Sequence, residues 1–220
     1  MGKRSKTLNG SGLELAEIEP LTRNQLIAFE SSQNLVLHGC AGTGKTFISC
    51  YLAFDDMTKN MYEKLVIIRS AVPTRDIGFL PGTEKEKSSV YEEPYYDIAI
   101  DLFERGDAYQ ILKTKRLVHF MTTSYIRGIT LRDAVILIDE CQNMTFHELD
   151  SIITRVGENC RVIFCGDFKQ SDLKQNGMGE FLEILDSMNR FDFIEFGVED
   201  IVRSGFVKDY IIAREYKQNL

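Results

Sequence analysis

A lysine and a threonine close the octapeptide Gly39-Cys40-Ala41-Gly42-Thr43-Gly44-Lys45-Thr46. The spacing G-x-x-x-x-G-K-[ST] suits the cradling of phosphates. Its glycines let the backbone curl so that successive N–H groups point inward, and a helix starting there adds partial positive charge. In that arrangement Lys45 reaches the β- and γ-phosphates of a nucleoside triphosphate and Thr46 holds Mg²⁺. A second reactive group lies far downstream, where the apolar run Ala134 to Ile138 leads into Asp139-Glu140. Open α/β sheets bind ligands at such strand tips. Asp139 is placed there to secure Mg²⁺ through its waters, and Glu140 to act as general base toward an attacking water.

Two glutamines add to the set. Gln170 follows the apolar run Cys160–Cys165, on a loop from which its amide can hydrogen-bond both a γ-phosphate and the attacking water. Gln25 opens a helical segment just ahead of the phosphate loop. Its amide offers one donor and one acceptor, which matches an adenine edge; the alternative is an ordinary surface glutamine.

These groups need strands that end together and helices that begin there. Leu35 to Leu37, Lys64 to Ile68, Arg116 to Met121, Ala134 to Ile138, Cys160 to Cys165 and Phe191 to Phe196 read as buried strands,. Helical spacing is expected after Thr46, near Gly179–Met188, and through Ile201, Val202, Phe206, Val207, Tyr210 and Ile211. In the helix after Thr22, Leu26, Ile27 and Phe29 form the expected buried side. Ser70 to Tyr91 reads as a long irregular segment, of a length that is usually functional or disordered. Tyr91, Tyr95 and Tyr96 can stack bases there or begin an amphipathic helix. Residues 1–19, with Lys3, Arg4 and Lys6, read as a flexible basic tail, leaving 20–220 as a single domain.

At 220 residues and 44% hydrophobic, the chain suits one α/β domain,. A net charge of −7 argues against a generic polyanion binder,. Neither a membrane-length apolar run nor a signal peptide is apparent, so a cytoplasmic protein with no membrane partner is expected. The five cysteines, among which no C-x-x-C occurs, are expected to be reduced and mostly buried,.

The set LHGCAGTGKT, GFLPG, YIRGIT, VILIDECQNMT, GDFKQSDL and EDIVRSGFVKDYI, in this order, resembles the PhoH-like ATPases and covers about Leu21 to Tyr210. A compact viral or phage member is compatible with the length. The resemblance implies a RecA-like P-loop NTPase fold, a three-layer α/β/α sandwich with a mostly parallel sheet similar to the first motor domain of superfamily 1 helicases. It implies ATP and Mg²⁺ as ligands, with Gly39 to Thr46 on the phosphates, Asp139 and Glu140 on metal and water, Gln170 as γ-phosphate sensor and Gln25 on adenine. Arg203 resembles an arginine that neutralises transition-state charge from its own or a neighbouring subunit, and Arg127 is a looser nucleotide or interface candidate. Ser70 and Thr74-Arg75-Asp76 depart from the family pattern in the loop leading to GFLPG, so the family's function for that loop is not carried over, whereas Cys40 and Cys141 depart from it without removing a catalytic group. Some relatives carry an N-terminal nuclease domain; 19 leading residues are too few for one, so no ribonuclease activity is expected.

The leading expectation is an Mg-dependent ATPase that acts on single-stranded RNA or DNA by translocation or unwinding. With no second motor domain, a homo-oligomer is expected, a ring such as a hexamer, because a trans arginine is worth roughly 10³–10⁵ in rate. The alternative is an ATP-switched regulatory or interaction protein. A basic groove near Lys113, Lys115 and Arg116 or the GFLPG loop would favour the motor. A small-molecule kinase fits poorly, since Glu140 would promote wasteful hydrolysis.

Overall fold

Runs of alternating or continuous apolar residues bury both faces of a sheet when helices cover it on each side. The computed structural model, which describes residues 6–8, 10–70, 84–168 and 177–218, has that arrangement. Strands β3 (Asn34–Gly39), β4 (Lys64–Arg69), β5 (Val118–Thr122), β6 (Ala134–Ile138), β7 (Cys160–Gly166) and β8 (Phe191–Phe196) form a sheet in the order β5-β4-β6-β7-β3-β8. Each neighbouring pair is parallel. The helices are α1 (Arg23–Glu30), α2 (Lys45–Thr58), α3 (Glu84–Phe103), α4 (Ala108–Thr114), α5 (Phe146–Ile153), α6 (Met178–Ser187) and α7 (Gly205–Gln218).

The period of two along each strand sorts the core into two layers. Leu35, Leu37, Leu65, Ile67, Val135 and Leu137 pack with Ile48, Leu52, Tyr95 and Leu102 on one face. Val36, Val66, Ile68, Ile136, Ile138 and Phe164 pack with Leu149, Ile152, Phe181 and Leu185 on the other. The three-layer α/β/α class expected from the sequence is therefore the one found. In this strand order the phosphate-loop strand β3 and the acid-tipped strand β6 are not neighbours; β7 lies between them, hydrogen-bonded to both.

Several local expectations are revised. Residues 6–16 do not behave as a free tail, because β1 (Thr7–Leu8) pairs antiparallel with β2 (Leu13–Glu14) and Leu8, Leu13 and Leu15 enter the core. Lys6 is held as well, donating to the Tyr51 hydroxyl at 2.8 Å and lying 3.3 Å from Asp55. In α1 the buried residues are Gln25 and Ala28, whereas Leu26 and Ile27 are exposed. The polar side chain turns inward because both ends of its amide find backbone partners. The segment expected to be irregular up to Tyr91 is helical from Glu84. Tyr95, for which stacking and packing were both open, is a core residue. Of the apolar positions in α7, Ile211 is buried while Phe206, Val207 and Tyr210 are exposed, so that helix rests on one narrow seam. The five cysteines are free thiols, and four of them are buried.

At the end of the sheet opposite the phosphate loop, Arg161 is buried against Asp56. Its Nη1 donates to Asp56 Oδ2 at 2.7 Å, and its Nε and Nη2 donate to the carbonyls of Gln33 and Ser31 at 3.0 and 2.8 Å. Removing one partner of a buried pair strands the other charge, at a cost of about 3–5 kcal/mol. Arg161→Ala is expected to lower unfolding stability by that amount in urea denaturation, with the double variant Arg161→Ala/Asp56→Ala recovering part of the loss.

Candidate functional site

The C-terminal tips of β3, β6 and β7 open into a cavity of about 870 Å³ whose lining includes Gln25, Ala41 to Thr46, Asp139, Glu140 and Arg203. This volume lies within the range of ligand sites. The structure thus gathers around one space groups from both ends of the sequence. Gln170, Lys169 and the GFLPG segment lie outside the described residues. Arg127, exposed and 3.3 Å from His147, is not among the residues lining the cavity.

The phosphate loop is tied down at its start. Gly39 has φ +106°, and a Cβ on it would collide with the Phe196 carbonyl, so only glycine fits between β3 and β8. The next N–H, of Cys40, donates to that same carbonyl at 2.8 Å. Val202 N–H donates to the Gly42 carbonyl at 3.1 Å, which brings the segment before α7 against the loop. The first N–H groups of a helix have no partner within it. In α2 these lie at the loop's mouth, which is the physical basis of an anion site. Lys45 Nζ donates to the carbonyls of Gly39 and Cys40 at 2.9 and 2.7 Å. Burial pulls its pKa below the ordinary lysine value of 10.5, against the opposing pull of neighbouring groups that include Cys165, Asp167 and Glu140. A desolvated ammonium facing a phosphate-shaped cradle gains more from an anion than an exposed one would.

Thr46 Oγ1 donates to Asp139 Oδ1 at 2.9 Å. An alcohol and a carboxylate in contact form a hard oxygen-donor pair, which fits Mg²⁺ completed by phosphate oxygens and water. Among the described residues no three of His, Cys, Asp or Glu converge on a metal position, so this pair is the donor set to consider. Asp139 Oδ2 accepts from the Tyr95 hydroxyl at 2.6 Å. Beside it Glu140 adopts the left-handed conformation, φ +53°, as do six other non-glycine residues among those described,. Its Oε2 accepts from Gln142 Nε2 at 2.6 Å, and Gln142 Oε1 accepts from Asp167 N–H at 3.2 Å. Glu140 is therefore held from the tip of the adjacent strand.

Gln25 is 4% exposed, so the surface-glutamine alternative is set aside. Its Oε1 accepts from Leu21 N–H at 2.7 Å and its Nε2 donates to the Thr43 carbonyl at 3.1 Å. An amide has two N–H groups and two lone pairs, so one of each remains for a ligand. Arg203 is exposed on the cavity wall, its Cγ packed toward Gly42.

The profile of the family described as PhoH-like protein matches residues 17–215, a span that contains every group of this cavity. The chain belongs to the PhoH family. This PhoH-family chain is 34% identical over 194 residues to Protein PhoH of Escherichia coli (strain K12), covering 84% of this chain and 55% of that protein. To the PhoH-like protein of Bacillus subtilis (strain 168) it is 31% identical over 218 residues, covering 97% and 67%. It spans between about half and two thirds of the length of these curated relatives. Among solved structures, the large terminase from a thermophilic bacteriophage shares the fold, with a TM-score of 0.53 at 14% identity over 87% of this chain and 50% of that one. The same terminase in complex with ADP gives 0.53 at 15% identity over 87% and 49%. The PhoH chain is thus an α/β protein that shares its fold, a parallel sheet covered by helices on both faces, with this terminase.

Four residues of the PhoH chain at this site were given no role in the sequence. Tyr95 resembles core packing there, and Gln142, although it lies within the VILIDECQNMT motif, shows its bond to the tip of β7 only once β6 and β7 are adjacent. Arg69 and Arg214 also line the cavity. Arg69 Nη1 donates to the Tyr91 carbonyl at 3.3 Å. Arg214 Nε is shielded from solvent with no hydrogen-bond partner among the described residues, while its Nη2 donates to Glu215 at 3.3 Å. No spacing marks Arg214, since only the packing of α7 brings it here.

A small residue is required at the tip of the middle strand. A Cβ on Gly166 would lie 2.7 Å from Cys141 Sγ and 2.8 Å from Gln142 Oε1. Gly166→Ala is expected to lower stability by about 1–3 kcal/mol through overpacking, measured by thermal or urea denaturation; an unchanged midpoint would show that the three strand tips have slack.

Proposed function

We propose that this PhoH-family chain binds ATP with Mg²⁺ and hydrolyses it, and that turnover is coupled to single-stranded nucleic acid. The observation that carries the nucleotide part is the 2.9 Å contact between Thr46 and Asp139 beside Lys45 in one cavity. It brings a phosphate cradle and a metal-holding acid, far apart in sequence, to a common point. The fold-sharing terminase has been solved in complex with ADP, which supports a nucleotide as the ligand class.

In this reading the loop N–H groups and Lys45 neutralise the phosphates, Thr46 and Asp139 hold the cation, and Gln25 meets the base with its spare donor and acceptor. Mg²⁺ supplies charge neutralisation across the phosphates. Glu140, fixed by Gln142, accepts the proton of the attacking water. Gln170 takes the role of γ-phosphate sensor that the motif resemblance gives it. Arg203 and Arg214 line the cavity of their own chain, so charge neutralisation in cis is available without a second copy. A ring would then serve to enclose a strand.

The nucleic-acid part rests on the motif resemblance. A second reading, an ATP-switched interaction protein, is favoured by specific observations. Lys113, one of the cations from which a basic groove would be built, is paired with Glu92 at 2.8 Å. On α7, Phe206 and Tyr210 stand 85% and 64% exposed one turn apart, a surface better suited to protein than to phosphate.

The deciding measurement is steady-state ATPase activity at low salt with and without single-stranded RNA and DNA. Glu140→Gln is expected to retain ATP binding while hydrolysis falls about 10²–10⁴-fold, as for loss of a general base, and Lys45→Ala to abolish nucleotide binding or turnover. Parent-level hydrolysis by Glu140→Gln would overturn the role given to Glu140. Stimulation by one polymer identifies the substrate, and indifference to both selects the interaction protein.

A further inference from the structure

Tyr95 is 2% exposed in the middle of α3, yet its hydroxyl is not in the hydrocarbon core; it ends on Asp139 Oδ2 at 2.6 Å. The opposite oxygen, Oδ1, accepts from Thr46 at 2.9 Å. A phenylalanine would fill the same volume, so packing alone does not require the hydroxyl. What the hydroxyl adds is orientation. A carboxylate turns freely about its last torsion unless both oxygens are engaged, and here one charge-assisted bond fixes the plane so that the other oxygen faces the threonine. A phenol keeps its proton at neutral pH and a carboxylate can only accept, so the hydroxyl is the donor of this bond.

Resting on the nucleotide reading, we propose that Tyr95 is a positioning residue for the metal. By holding Asp139 from α3 it sets the geometry, and thereby the affinity, with which Mg²⁺ joins Thr46 and the phosphates. Outer partners of metal-ligating groups contribute about 10–100-fold to metal affinity.

The test titrates a fluorescent non-hydrolysable ATP analogue onto the parent and Tyr95→Phe, first in EDTA and then against rising Mg²⁺. Tyr109→Phe serves as control, because it removes another buried tyrosine-to-carboxylate bond, the one from Tyr109 to Glu92 at 2.9 Å. Tyr95→Phe is expected to bind the analogue in EDTA like the parent and to need about 10-fold or more Mg²⁺ for half-maximal response, with Tyr109→Phe at the parent value. An unshifted Mg²⁺ midpoint in Tyr95→Phe, or an equal shift in both variants, overturns the positioning role alone. No binding by the parent in either condition overturns the nucleotide reading and this one with it. Should Tyr95→Phe fail to fold, parent protein labelled with 3-fluorotyrosine decides by fluorine NMR. A solvent-shielded resonance must move when Mg²⁺ is added to the analogue-loaded protein; if none does, the proposal falls.

Discussion

A buried carboxylate with a donor on each oxygen stands at the centre of this molecule. Asp139 is 4% exposed, and an unpartnered charge at that depth would be strongly destabilising. The fold therefore has to deliver two hydroxyls to it, one from the start of α2 and one from the middle of α3. The strand order follows the same logic. Because β7 separates β3 from β6, Thr46 and Asp139 meet across the tip of the strand between them, a gap of about two inter-strand spacings. The crossing is open because that tip is Gly166, with Cys141 and Gln142 filling the room a side chain would take.

Glu140 completes the arrangement from the same strand end. Its left-handed backbone turns its side chain away from the line set by Asp139 and toward Gln142, whose other end rests on Asp167 N–H. Two adjacent acids on one strand thus acquire separate partners.

The amino-acid sequence carried much of this. Six apolar runs located the sheet to within a residue or two at most ends, and two motifs located the phosphate loop and the acid pair. Gln25 was singled out because its type and place suit an adenine edge, but its inward turn was not legible, since Leu26 and Ile27 made the opposite face look apolar. The N-terminal strand pair escaped because Leu8 and Leu13 are isolated apolar residues in a glycine-rich stretch, and their burial goes with the capture of Lys6 by Tyr51 and Asp55. Tyr95 and Arg214 escaped for a common reason. Each meets its surroundings through a distant element, and no local period or spacing encodes such a meeting.

The tether of the phosphate loop to β8 and to Val202 bears on how the protein is made. The loop at Gly39–Thr46 is synthesised early, but its Cys40 N–H waits for Phe196, its Gly42 carbonyl for Val202, and its outer wall for α7. On a ribosome the cradle therefore stays unfinished until nearly the whole domain has emerged. A nascent chain that has passed Thr46 but not yet reached Phe196 carries the complete signature motif and lacks the contacts that give it shape.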